Sequence, residues 1–180
     1  GIVILAENLG WDHFPVAEKL TALTGMEVKL GNDANAAALG ETKFGSGKAY
    51  NNTVMITLGT GVGGGIIIDK KVYSGFNYAG GELGHVVIEV DGAQCSCGRK
   101  GCWEAYSSAT GLVNITRDRI LDARAAGRKT SMEEMVGGDL TKISARTAFT
   151  AMKNGDEVAA EVVDEYISYR VIQPSYVAYE

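Results

Sequence analysis

The sequence predicts an α/β fold, and three observations carry that prediction. Apolar runs of strand length fill the first half of the chain, and helical patterning takes over after Cys102. Between them, Thr53 to Leu58 and Ile66 to Ile68 flank a glycine-rich stretch as the two arms of a hairpin. The chain has 180 residues, 46% of them hydrophobic and 22% charged, which is enough apolar content for a buried core of roughly domain size.

Taken in order, Gly1 to Leu5 is a short apolar run that begins as if inside a strand, and Asn8-Leu9-Gly10 follows as a turn. Val16 to Leu23 is amphipathic at helical spacing and stops at Gly25. Met26 to Leu30 alternates as a strand would and ends just before Asn32 and Asp33. Ala34 to Leu39 is a run of strong helix formers, closed by Gly45 and Gly47. After the hairpin, with Gly59 to Gly65 as its loop, Asp69-Lys70-Lys71 turns the chain toward Val72 and Tyr73, and Val86 to Val90 reads as a further strand. Helices are expected over Trp103 to Ser108, Leu112 to Ala126, Ala145 to Lys153 and Glu157 to Tyr169. Ser144 serves as a cap and Gly155-Asp156 separates the last two. The final helix is expected to dissolve at Gln173-Pro174-Ser175, and no period indicates internal repeats.

Charge and hydropathy argue against two classes of partner for this chain. The net charge is -5, from 22 acidic and 17 basic residues, with no cationic run to neutralise a phosphate backbone, so nucleic acid is not expected as a partner. No apolar run approaches the roughly 18 residues of a membrane span, and Gly1 opens without the features of a signal peptide, so a soluble, cytoplasmic chain is expected.

Three constellations carry chemistry. Asn32-Asp33-Ala34-Asn35 stands where a predicted strand gives way to a helix, a boundary at which α/β folds commonly meet ligands. Either side chain can cap the helix; alternatively Asp33 takes a proton from a hydroxyl that Asn32 orients, and one residue can serve each purpose. Gly59-Thr60-Gly61-Val62-Gly63-Gly64-Gly65 suits a phosphate loop, because glycines let successive amides turn toward one anion. It matches GxGxxG only formally, since isoleucines follow where a dinucleotide fold needs a helix, and the absence of Lys-Ser or Lys-Thr excludes a Walker loop. A hairpin without ligand is the competing reading. The third constellation is His85 with Cys95, Cys97 and Cys102, spaced H-x9-C-x-C-x4-C: three thiolates and an imidazole make a closed zinc shell. An odd cysteine count argues against disulfides, and buried free thiols are the remaining alternative. Glu82 and Glu104 bracket this cluster, so a metal fixing the knuckle would place both carboxylates. Carboxylates, an imidazole and an Asn-Asp pair together match the donor and acceptor needs of a polyhydroxyl ligand.

Asn32 to Ala36 resembles the NDANA segment of the ROK family of sugar kinases and sugar-responsive repressors. Leu58 to Gly65 resembles the family's second phosphate loop, Glu82 to His85 its ExGH motif, and Cys95 to Glu104 its CxCGxxGCxE motif. The resemblance is to the bacterial glucokinase branch and covers about positions 30 to 110. It implies a partial actin-like, hexokinase-type ATPase fold (ribonuclease H-like), with residues 1–33 a remnant of the N-terminal lobe and 34–180 the large lobe. It further implies Asp33 as base for the 6-hydroxyl of a hexose, with glucose foremost, and Asn32, Glu82, His85 and Glu104 as hexose ligands. Gly59, Thr60, Gly61, Gly63 and Gly64 would face ATP with Mg2+, and zinc would be structural, held by His85, Cys95, Cys97 and Cys102. Dimers or tetramers are implied as well. The family's DxGGT loop and C-terminal glycine-rich motif are missing, so the chain is expected to be a central fragment, inactive alone, with an atypical tail after Arg170. The alternatives are a sugar-sensing repressor whose DNA-binding module lies outside these residues and a non-catalytic zinc-containing binding module.

Overall fold

The computed structural model describes residues 1–6 and 9–177. It has five strands and seven α-helices among them: β1 (Val3–Ala6), β2 (Trp11–Phe14), α1 (Val16–Thr24), α2 (Asp33–Phe44), β3 (Thr53–Leu58), β4 (Val62–Ile68), β5 (Lys71–Val72), α3 (Glu104–Ser107), α4 (Ala109–Ala125), α5 (Ser131–Met135), α6 (Ala145–Lys153) and α7 (Glu157–Val177). β1 and β2 form an antiparallel pair, and β3, β4 and β5 form a second antiparallel sheet in that order. No helix among the described residues is long and apolar enough to cross a membrane.

The hairpin registers Thr53 against Ile67 and Leu58 against Val62, so only Gly59-Thr60-Gly61 remain as its turn. The expected loop from Gly59 to Gly65 is therefore shorter, and Gly63, Gly64 and Gly65 lie inside β4. The physical reason is packing. Helix α2 crosses this strand so closely that a Cβ on Gly65 would stand 2.5 Å from Ala38 Cβ and 2.8 Å from the Ala34 carbonyl oxygen. Gly65→Ala is expected to cost about 1–3 kcal/mol of stability, the usual range for overpacking, read as a lowered urea midpoint. At the far end of β4 the chain reverses through Asp69 and Lys70, both at positive φ, as a two-residue hairpin turn of the primed type requires.

Each helix start has an identifiable cause. Asn32 caps α2, its side chain accepting from Asn35 N at 3.0 Å, and Ser108 caps α4 by accepting from Gly111 N. Ser144 and Thr147 form a capping box on α6. Gly25 ends α1 in the left-handed conformation. α4 to α7 enclose the main core, in which Leu112, Ile120, Met132, Val162 and Val163 are buried.

Asp156 joins two of these helices. Its Oδ2 accepts from Thr130 Oγ1, Ser131 N and Ser131 Oγ, and its Oδ1 from Ala159 N at the start of α7. Burial raises its pKa, but these donors outweigh burial and hold it below the usual carboxylate range. A carboxyl depressed in the fold contributes stability that is complete above its unfolded pKa of about 3.9 and is lost as pH falls through the lower folded value. Wild-type stability should therefore fall below about pH 4 more steeply than that of Asp156→Asn, as denaturant midpoints measured across the acid range will report.

Beyond the hairpin loop, the structure differs from expectation elsewhere, and the strand β2 over Trp11–Phe14 was not expected. Met26–Leu30 is not a strand, because no strand among the described residues pairs with it, and Met26 is 65% exposed. Val86–Val90 makes only an isolated bridge, Val87 to Cys102, since the facing residues enter α3 immediately afterwards. The five-residue α5, capped by Thr130, was not expected; it is too short to show a period. Helix α7 continues through Gln173-Pro174-Ser175 to Val177, Pro174 removing one helical hydrogen bond without ending the element. The turn expected at Asn8 and the last three residues fall outside the described residues.

Candidate functional site

The approach of α2 to β4 brings the start of the helix beside the hairpin turn. Asn32, Asp33, Gly59, Thr60, Glu82 and Glu104 open, with neighbouring backbone, onto one cavity of ≈ 510 Å³. Asp33 is the first residue of α2 and is exposed; its Oδ1 accepts from Ala34 N at 2.8 Å. The cap bond to Asn35 N is made by Asn32, while Asp33 meets the adjacent Ala34 N.

Glu82 reaches the cavity because the next turn, Leu83–His85, lies flat against β4. Gly84 permits that contact: a Cβ there would collide with the Val62 carbonyl oxygen. Gly64 plays the same part from the strand, where a Cβ would stand 2.5 Å from the Gly81 carbonyl oxygen. Gly63 and Gly64 pack closely against neighbouring segments and also line the cavity, beside the turn Gly59-Thr60-Gly61.

Glu104 begins α3 and is half-buried. Its Oε2 accepts from Val62 N at 2.9 Å, and its Oε1 accepts from Ser96 Oγ at 3.2 Å and lies 3.9 Å from Cys95 Sγ. One carboxylate therefore connects the hairpin to the cysteine knuckle. Nothing in the spacing C-x-C marks the middle residue, so Ser96 was not legible as a member of the site.

The knuckle is a tight turn in which Cys95 N donates to Arg99 O and Gly98 N to Cys95 O, with Gly98 at φ 86°. It brings His85, Cys95, Cys97 and Cys102 together so that one ligand atom from each lies within 4.8 Å of all the others. Cys97 Sγ is 3.6 Å from Cys102 Sγ, and Cys95 Sγ is 3.6 Å from His85 Nδ1. A tetrahedron built on ordinary zinc–sulfur bonds has edges of about 3.8 Å, so the donors fit a closed four-coordinate ion of that kind. All three cysteines are free of disulfides. Hydrogen bonding from the Arg99 backbone, then from its guanidinium, draws the Cys97 thiol down to about 6, and burial pushes the Cys102 thiol up to about 12. A divalent ion reverses the latter effect, since coordination deprotonates a thiol.

Two contacts brace the knuckle from behind. Trp103 Nε1 donates to Tyr169 O at 2.8 Å, and Ala93 N donates to Tyr106 OH at 2.6 Å. The structure thus gathers Asn32, Asp33, Glu82 and Glu104 at one cavity and the four metal-type donors at one point, with Glu104 touching both groups.

Comparison with known proteins bears on the family and the fold. The ROK family model matches residues 1–172. A glucokinase of Halalkalibacterium halodurans is 39% identical over 173 residues, covering 94% of this chain and 50% of that protein. Among solved structures, a ROK family glucokinase from Streptomyces griseus, in complex with glucose and AMPPNP, superposes with a TM-score of 0.76 at 36% identity, covering 94% of this chain and 54% of that one. A ROK family transcriptional regulator, a homolog of E. coli MLC protein, superposes with a TM-score of 0.75 at 30% identity, covering 94% and 40% respectively. The chain spans about half the length of the glucokinases it matches. Its mixed helix and sheet architecture is part of the actin-like, hexokinase-type fold. On the match across nearly its whole length, the chain belongs to the ROK family.

Proposed function

We propose that this chain carries the acceptor site of an ATP-dependent hexose kinase that phosphorylates a hexose, glucose foremost, on its 6-hydroxyl. The observation that carries the reading is the shared cavity: an exposed aspartate at a helix start, two glutamates and a glycine turn open onto one space. Asp33 accepts the proton of the attacking hydroxyl, with Oδ2 available because Oδ1 is engaged by Ala34 N. Asn32, Glu82 and Glu104 hold the remaining hydroxyls; His85 stands at the knuckle outside the cavity lining and is assigned to the sugar through the nitrogen that does not face Cys95. Gly59, Thr60 and Gly61 offer a turn toward the phosphates of ATP, whose magnesium arrives with it. Gly63 and Gly64, which line the same cavity, extend that cradle and also let β4 approach its neighbours. In such reactions positioning and electrostatics supply most of the rate, so one base and a phosphate cradle suffice.

The four knuckle donors are proposed to hold zinc. With four protein ligands the shell is closed, so zinc supplies a fixed cross-link and no activated water. Residues 1–33 are assigned to an N-terminal lobe and 34–180 to the large lobe, in a cytoplasmic, homo-oligomeric sugar-metabolic enzyme.

Hexose titration calorimetry, run beside a coupled ADP-release assay on the full-length protein, tests the reading. Glucose binding accompanied by glucose-dependent ADP release is expected. Binding with no turnover would instead favour the sugar-sensing regulator.

A further inference from the structure

We propose that Ser96 is a positioning residue for the Glu104 carboxylate, and that its hydroxyl transmits the shape of the knuckle to the sugar cavity. This rests on the sugar-site reading of Glu104 given above. Ser96 lies between two of the metal-type donors, Cys95 and Cys97, so its backbone is set by the thiol arrangement. Its Oγ donates to Glu104 Oε1 at 3.2 Å, while Val62 N donates to Oε2 at 2.9 Å from the opposite side. A glutamate has three rotatable bonds, and its terminal torsion is broad. Two donors from separate elements, one on each oxygen, restrict that torsion and fix the plane in which the carboxylate meets a hydroxyl.

Metal loading sharpens the role of Ser96. The Cys95 thiol is the other knuckle donor within reach of Oε1, at 3.9 Å. A coordinating cysteine is a thiolate and has no proton to give, so in the zinc-loaded knuckle Ser96 is the remaining donor to Oε1 among the described residues. Gly61 completes the setting: its lack of a side chain leaves room for Oε2, which a Cβ there would strike. The carboxylate is thus held between the hairpin turn and the knuckle, and the Ser96 hydroxyl is the adjustable side of that grip.

The test uses Ser96→Ala, Ser96→Thr and Glu104→Gln in the zinc-loaded, full-length protein, with glucose as the probe. Measured quantities are glucose Kd by calorimetry, KM and kcat by ADP release, and zinc by elemental analysis. Losing a hydrogen bond to a charged acceptor at a site water can reach should weaken glucose binding about 5- to 20-fold in Ser96→Ala. KM should rise with Kd and kcat should change less, because the lost interaction serves ground state and transition state alike. Zinc should stay at one ion per chain, and Ser96→Thr, which keeps the hydroxyl, should return affinity toward wild type. Unchanged affinity in Ser96→Ala beside a clear loss in Glu104→Gln would overturn the role of Ser96 and leave the sugar site standing. Zinc lost in step with affinity, or a threonine variant no better than alanine, would also overturn it. If neither Ser96→Ala nor Glu104→Gln affects glucose, the sugar-site reading of Glu104 fails and takes this inference with it.

Discussion

Asp33→Asn is expected to lower phosphoryl transfer by about 10²- to 10⁴-fold, the usual contribution of a general base, while glucose affinity changes only a few-fold. The amide keeps the shape of the side chain and one oxygen, so the contact with Ala34 N survives, but its nitrogen cannot accept a proton. Stability should hold, because the cap on α2 belongs to Asn32. What the helix loses is one favourable charge in its first turn, worth about 0.3–1 kcal/mol at an exposed site. A matched Asn32→Ala variant should lose about 0.5–2 kcal/mol of capping stability and weaken glucose binding, with kcat affected far less than in Asp33→Asn. Steady-state rates and calorimetry on both variants separate the roles, and wild-type turnover in Asp33→Asn would refute the base assignment.

Cys97→Ser should lower zinc content, thermal stability and hexose affinity together. Cys97 is exposed, so the loss comes from a missing ligand and not from a packing defect. The remaining donors, His85, Cys95 and Cys102, no longer close the shell, and the turn from Cys95 to Arg99 keeps few bonds of its own. The helical core should survive, because Trp103 and Tyr106 tie the base of the knuckle to Tyr169 and Ala93 independently of any metal. Melting should therefore show a lowered transition without global collapse, and glucose affinity should drop about 10-fold or more as Glu104 loses its knuckle-side restraint. Stripping zinc from the wild type with a strong chelator should reproduce the affinity loss. Full hexose binding by a demonstrably zinc-free protein would break the link between metal and cavity.

The parts of this molecule that were legible in the sequence are those governed by local chemistry. His85, Cys95, Cys97 and Cys102 were identified by spacing because thiolate and imidazole ligands need a tight turn, and glycines at 98 and 101 supply it. The hairpin was legible because two apolar runs flank a glycine turn, and most helices because their periods run over several turns. What escaped depends on contacts distant in sequence. A glycine that admits a phosphate and one that admits a helix look alike in a sequence, so no local signal shows that Gly63, Gly64 and Gly65 lie in β4, packed against α2 and the Gly81–Leu83 segment. Val86–Val90 has strand composition but only a short stretch to pair with, and no local signal records that. Ser96 is an ordinary exposed serine until Glu104 arrives from eight residues away.

The most direct test of the central claim is identification of the product by phosphorus and carbon NMR after the full-length protein is incubated with ATP, Mg2+ and 13C-labelled glucose. The account predicts one phosphate ester, on the 6-oxygen, formed by the wild type and not at a comparable rate by Asp33→Asn. A bound but unmodified sugar, or an ester on another hydroxyl, would contradict the assignment of this cavity as a 6-hydroxyl acceptor site with Asp33 as its base.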